Sequence, residues 1–295
     1  MSLFLTVAIT AYLLFAVNGV ADKFLLTKAI KHPVVYAFFS GGISIVTLVL
    51  APFFLKAISW PTFYIALMAG TSFTYALYFF YTATQKTTIS RILPIEGGLV
   101  PVFTLILSYT ILGERLDNSQ LLAFAFLVVG AILISFRRDK SGWHMAAFKN
   151  ATVAAMLFAL SFVLTKYVYN QTPFISGLIW TRMGLIVGAS SFLIIKEFRK
   201  HIFAAPDKTS EHNKLIFYGA RAAGGLGGFL QNYAISLGSV TIVNAIQGTQ
   251  FAFLLIMTSL ISIYYPKILE EQITKLIIVQ KFLAIILITW GLLHI

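Results

Sequence analysis

Thr88–Leu116 reads TISRILPIEGGLVPVFTLILSYTILGERL. It is long and apolar enough to cross a bilayer, since about 20 residues rising 1.5 Å each cover the ~30 Å hydrocarbon core. Inside it stand Pro94, Pro101, the pair Gly97-Gly98 and one acid, Glu96. Prolines and paired glycines loosen a membrane helix, which is tolerable only where protein or trapped water satisfies the freed backbone groups. An acid at that depth faces a bundle interior or a cavity. The stretch therefore predicts a membrane helix with a weakened, polar start, set inside a larger helical assembly.

The rest of the chain agrees. Of 295 residues 59% are hydrophobic and 11% charged, with a mean hydropathy of +0.87. A soluble domain carries roughly 25% charged residues, so these values define a polytopic membrane protein. With no cysteine, disulfides and thiolate metal sites are excluded. The formal charge of +12 reads as loop Lys and Arg on the cytoplasmic face, and no nucleic-acid partner is expected.

Hydropathy predicts ten spans, at 3–20, 33–55, 61–83, 90–112, 119–136, 150–169, 174–195, 215–237, 240–264 and 276–294. The first lacks the basic leader of a signal peptide and reads as structure. Laid on itself, the chain shows two faint halves. Phe15-Ala16 with Lys23 echoes Phe158-Ala159 with Lys166; Pro33 matches Pro173, and Thr88-Ile89 matches Thr241-Ile242. The halves, 1–138 and 145–295, meet at the basic link Arg137 to Lys149. Five spans per half force opposite orientations, an inverted repeat with a site expected at the midplane.

The run PVFTLILSYTILGERL resembles the fourth span of the EamA branch of the drug/metabolite transporter superfamily, which ends in an LGER-type signature. That resemblance implies five plus five helices over nearly the whole chain, and small metabolites as substrates, often exported. The second half departs from it at Tyr265-Pro266-Lys267-Ile268-Leu269-Glu270-Glu271, where a second LGER-type ending would fall. Counting basic residues places both termini outside, whereas relatives of the fold are usually drawn with both termini in the cytoplasm.

Charged groups at span depth cost about 2.5–3.5 kcal/mol each on insertion scales, so each requires a reason. Glu96, Arg182 beside Trp180, and Arg221 are read either as lining a cavity, with the arginines receiving an anionic group, or as a Glu96–arginine ion pair locking helices. On the eighth span Arg221, Gly225, Gly228 and Asn232 share a face, while Gly224 and Gly228 form a GxxxG packing pattern. Asn244, Gln247 and Gln250 stripe the ninth span, and Thr71, Tyr75, Tyr78 and Thr82 the third. Asp22 and Lys23 read as a snorkelling pair at an interface, and Lys166 and Lys281 also reach span ends. His32, His144, His201, His212 and His294 fall in loops or ends, so no metal site is indicated.

These features predict an all-α inner-membrane transporter of two inverted five-helix repeats, working by alternating access on small polar metabolites. The candidate substrate-binding residues are Glu96, Trp180, Arg182, Arg221, Asn232, Asn244, Gln247 and Tyr78. No cofactor is expected, and Glu96 is the acid that proton coupling would use. The chain is expected as a monomer or weak homodimer. The rivals are a multidrug or cation exporter, and an intramembrane enzyme, which no HExxH, GxSxG or P-loop supports.

Overall fold

The computed structural model describes residues 2–25, 32–87, 89–135, 145–203, 211–264 and 275–295, with side chains described outside 21–25, 89–91, 211–221, 262–264 and 275–278. Each predicted span falls on helix. In chain order these are α1 (Leu3–Leu25), α2 (Pro33–Gly42), a 3-10 stretch Ile43–Leu50, α3 (Ala51–Phe54), α4 (Trp60–Lys86) and α5 (Ile89–Leu107). α5 passes into a π turn, Ser108–Leu112. Then come α6 (Asn118–Ser135), α7 (Met145–Gln171), α8 (Phe174–Ser191), α9 (Lys196–Phe203), α10 (Glu211–Leu237), α11 (Val240–Ala245), α12 (Gly248–Tyr264) and α13 (Lys275–Leu293). Among the described residues eight segments meet the length and hydropathy needed to cross a membrane. The other two predicted spans, 215–237 and 276–294, lie on α10 and α13.

Local chemistry sets the ends. Pro33 occupies the first turn of α2, where its missing N–H costs nothing, and Pro173 is the N-cap of α8. Ser59 and Ser239 cap α4 and α11, accepting from the Thr62 and Ile242 N–H groups. The signature glycine has a stop role. Gly113 adopts φ +68°, and its N–H and that of Glu114 both donate to the Ser108 carbonyl. That left-handed cap suits glycine and turns the chain out of the span.

α5 stays α-helical through both Pro94 and Pro101. The ninth span is interrupted, with Ile246-Gln247 forming a turn between α11 and α12. The region after the seventh span is not all loop either, because α9 places His201 on a short helix.

The chain divides into two compact units that cut across the two sequence halves. One comprises Met1–Ala29, Leu116–Phe136 and Asp207–Ile295; the other, Ile30–Arg115 and Arg137–Pro206. In the first, α1 packs on α10 and α12, and α6 on α13. In the second, α4 packs along α7 and crosses α8, α5 lies on α7, and α2 touches α4 and α8.

Small residues allow the close approaches of the second unit. Ala147, Ala151, Ala155 and Ala159 recur every fourth position of α7 and are all buried. Opposite α8, Ala66, Gly70 and Thr74 do the same on α4. A Cβ at Gly70 would collide with the Thr181 carbonyl oxygen and the Leu185 backbone nitrogen. One at Gly184 would lie 2.6 Å from the Leu67 carbonyl oxygen. Backbone meets backbone there, as small residues permit in lipid, where dispersion replaces the hydrophobic effect. Thr71 and Thr74 hydroxyls add bonds of 3.1 Å to the Gly184 and Leu185 carbonyls.

On α10 the roles divide differently from the GxxxG reading. Gly224 and Gly227 face α1, meeting Asn18 and the Ala11 carbonyl with Phe15, whereas a Cβ at Gly225 or Gly228 would meet nothing within 4 Å among the described residues. The Asp22–Lys23 pair, the basic link after Arg137 and the segment from Tyr265 to Glu271 lie outside the described side chains.

Candidate functional site

In the second unit, α5 carries Glu96, buried at 7% exposure, and its Oε1 has no hydrogen-bond partner among the described residues. α8 carries Arg182 at mid-span, half-buried. The polar group acting on its guanidinium is Tyr169, near the end of α7, whose hydroxyl is bonded to Thr181. No carboxylate pairs with Arg182 among the described residues, so of the two readings the Glu96–Arg182 ion pair is not formed. A half-buried guanidinium without a carboxylate partner can offer donors to an anion.

Trp180 is otherwise engaged. Its indole N–H donates to the Lys56 carbonyl at 3.0 Å, and its ring meets Phe63 edge-on at 5.4 Å. Ser176 accepts from the Lys56 N–H at 3.0 Å, so α8 pins the connection into α4. With exposed Trp60 and Tyr64 close by, this end has the composition of an aromatic membrane interface. Tyr78 packs its ring against Phe192 and Phe198, each 5.6 Å away.

A neighbouring stripe of α4 opens a groove of about 490 Å³, lined by Tyr64, Met68, Thr71, Tyr75, Phe79 and, from α7, Leu157 among others. The predicted Thr71 and Tyr75 are on it. Their hydroxyls serve helix contacts, Thr71 to Gly184 and Tyr75 to Ser191 at 2.9 Å.

In the first unit the interrupted ninth span organises the polar groups. The Gln247 N–H bonds to the Asn244 carbonyl, one residue short of the α-helical acceptor, and so releases the Val243 carbonyl. Tyr12 of α1 takes its place, its hydroxyl donating to Val243 O at 2.9 Å and accepting from Gln231 Nε2 at 3.2 Å. Tyr12 is 1% exposed and Gln231 9%. Sequence reasoning missed both; an isolated tyrosine and glutamine in two apolar spans were the only signal.

At the same break Asn244 is 1% exposed. Its Nδ2 donates to the Val240 carbonyl at 3.0 Å, and its buried Oδ1 is unbonded among the described residues. Gln247 is half-buried in the turn itself. On α10, Asn232 Nδ2 donates to Gly228 O at 2.8 Å, on the face that Gly225 and Gly228 leave open. Arg221 lies one turn before Gly225 on α10, with its side chain outside those described. The eight predicted residues thus divide four and four between the units. The described His, Asp and Glu form no group of three or more that could hold a metal.

Long apolar helices that hold an acid, a guanidinium and amides at span depth, one of them interrupted, are those of a polytopic helical membrane protein. Residues 2–136 match the EamA-like transporter family, a family that is not enzymatic. No curated protein matches it. A solved crystal structure shares the fold with a TM-score of 0.69 at 15% identity, over 98% of this chain and 94% of that one.

Proposed function

We propose that this transporter carries small polar metabolites bearing an anionic group across the cytoplasmic membrane, in the export direction, by alternating access of two inverted repeats. The observation that carries the substrate class is Arg182, half-buried at mid-span without a carboxylate partner among the described residues. The repeat is supported by the packing pairs. Exchanging spans one to five with six to ten turns the α4–α7 pair into α10–α1 and the α5–α7 pair into α12–α1. It maps α6–α13 and α2–α8 onto themselves. All of these pairs are in contact within their own units.

The test is a panel of carboxylates, phosphates and amines in thermal-shift binding, followed by flux into liposomes. A carboxylate or phosphate is expected to stabilise the protein and to be carried. Arg182→Gln should weaken its binding about 10- to 100-fold, the loss of a charge-assisted bond worth roughly 1.5–3 kcal/mol. Amines that bind while anions do not would overturn the reading.

A second reading rests on Glu96, whose buried Oε1 is unbonded among the described residues. It is the group on which a cation, or a proton coupled to transport, would be carried. Glu96→Gln is then expected to keep solute binding and equilibrium exchange while losing flux driven by a pH jump. Unchanged pH-driven flux in a folded variant would leave Glu96 a structural acid.

A further inference from the structure

We propose that α9 is an interfacial helix whose basic face binds the phosphate headgroups of anionic phospholipids. It begins directly after the seventh span, at Lys196, and its sequence KEFRKHIF separates two faces. Ile202 is buried and Phe198 half-buried against Val34, Ala37 and Phe192. The His201 ring stacks on His32 at the start of α2, with centroids 3.6 Å apart. These contacts fix the helix on its unit, so the opposite face is held outward. That face presents Lys196, Arg199 and Lys200, all exposed, against the single acid Glu197.

The apolar flanks decide between polyanions. Ile194 is 81% exposed and Phe203 69%, one at each end of the basic face. A nucleic acid or acidic protein in water would offer these side chains nothing. A bilayer offers both partners at one depth: acyl carbon for Ile194 and Phe203, phosphate for the three cations. The basic-residue count also places this segment on the cytoplasmic side, where anionic lipids give a negative surface potential. Guanidinium suits phosphate through paired donors, and the lysines add point charges on stems that lie along apolar surface.

The experiment titrates short-chain phosphatidylglycerol or phosphatidylcholine into the purified full chain in detergent micelles, with lipid retention read by native mass spectrometry. The wild type is expected to prefer phosphatidylglycerol. Lys196→Gln/Arg199→Gln/Lys200→Gln should cut that preference on the order of a hundred-fold, at about five-fold per basic residue. Lys200→Gln alone, the milder change, should cut it about five-fold. Lys56→Gln/Arg115→Gln, which removes exposed charge elsewhere, should leave it intact. Equal loss in that control, or retained preference in both α9 variants, would overturn the proposal. So would displacement of the lipid by an equal concentration of inorganic phosphate, or tighter binding of an RNA oligomer.

Discussion

Gly70→Leu is expected to prevent α4 and α8 from meeting, and to leave little folded protein. The position has no slack, because a Cβ would meet the Thr181 carbonyl oxygen and the Leu185 nitrogen, both backbone atoms of the facing helix. A flexible side chain could swing aside, but a helix backbone cannot. The whole α8 would have to shift, with loss of the Thr71 and Thr74 bonds to Gly184 and Leu185. Overpacking in a tight core costs about 1–3 kcal/mol, and a backbone collision belongs at or above the top of that range. Gly225→Ala and Gly228→Ala supply the contrast. Their Cβ atoms enter open space, so each should be neutral or stabilise α10 by about 0.5–1 kcal/mol. Yield of monodisperse protein and thermal unfolding in micelles read both. A Gly70→Leu protein as stable as wild type would refute the crossing.

Tyr12→Phe should cost about 2–4 kcal/mol although it removes a single oxygen. That hydroxyl satisfies two groups at once, the Val243 carbonyl released by the interrupted ninth span and the Gln231 amide. Removing it leaves both buried without their partner, at about 1–3 kcal/mol each. Pairing Tyr12→Phe with Gln231→Leu in a double-mutant cycle isolates the coupling, since the two residues share one network. The second change should cost much less once the first is made. Hydrogen exchange supplies an independent readout: the Ile246-Gln247 turn should exchange faster in Tyr12→Phe, while α6 and α13 stay protected. A loss below about 0.5 kcal/mol would show that the Val243 carbonyl does not depend on Tyr12.

The spans were legible because a membrane segment must satisfy its own backbone, so length and hydropathy along the chain suffice. Capping and stop signals were legible for the same local reason: Pro33, Pro173 and Gly113 act through their own turn. Glu96 and Asn244 stood out in the sequence because a polar group in an apolar run is visible without a partner, and both are buried. Trp180 was marked by polarity and neighbourhood, and its indole N–H holds the Lys56 carbonyl. The proline count pointed to a weak α5, yet the interruption is in the ninth span, which contains no proline.

By itself the sequence determined that this is an all-α membrane protein with a charged and amide-bearing interior, because both facts follow from composition along one dimension. Tertiary structure alone decided which glycines are indispensable, since Gly70 and Gly228 differ only in what stands opposite them. It also decided how the broken ninth span is tolerated. Val243 is sealed by a hydroxyl 231 residues away, and no local pattern encodes a partner that folding brings from another helix.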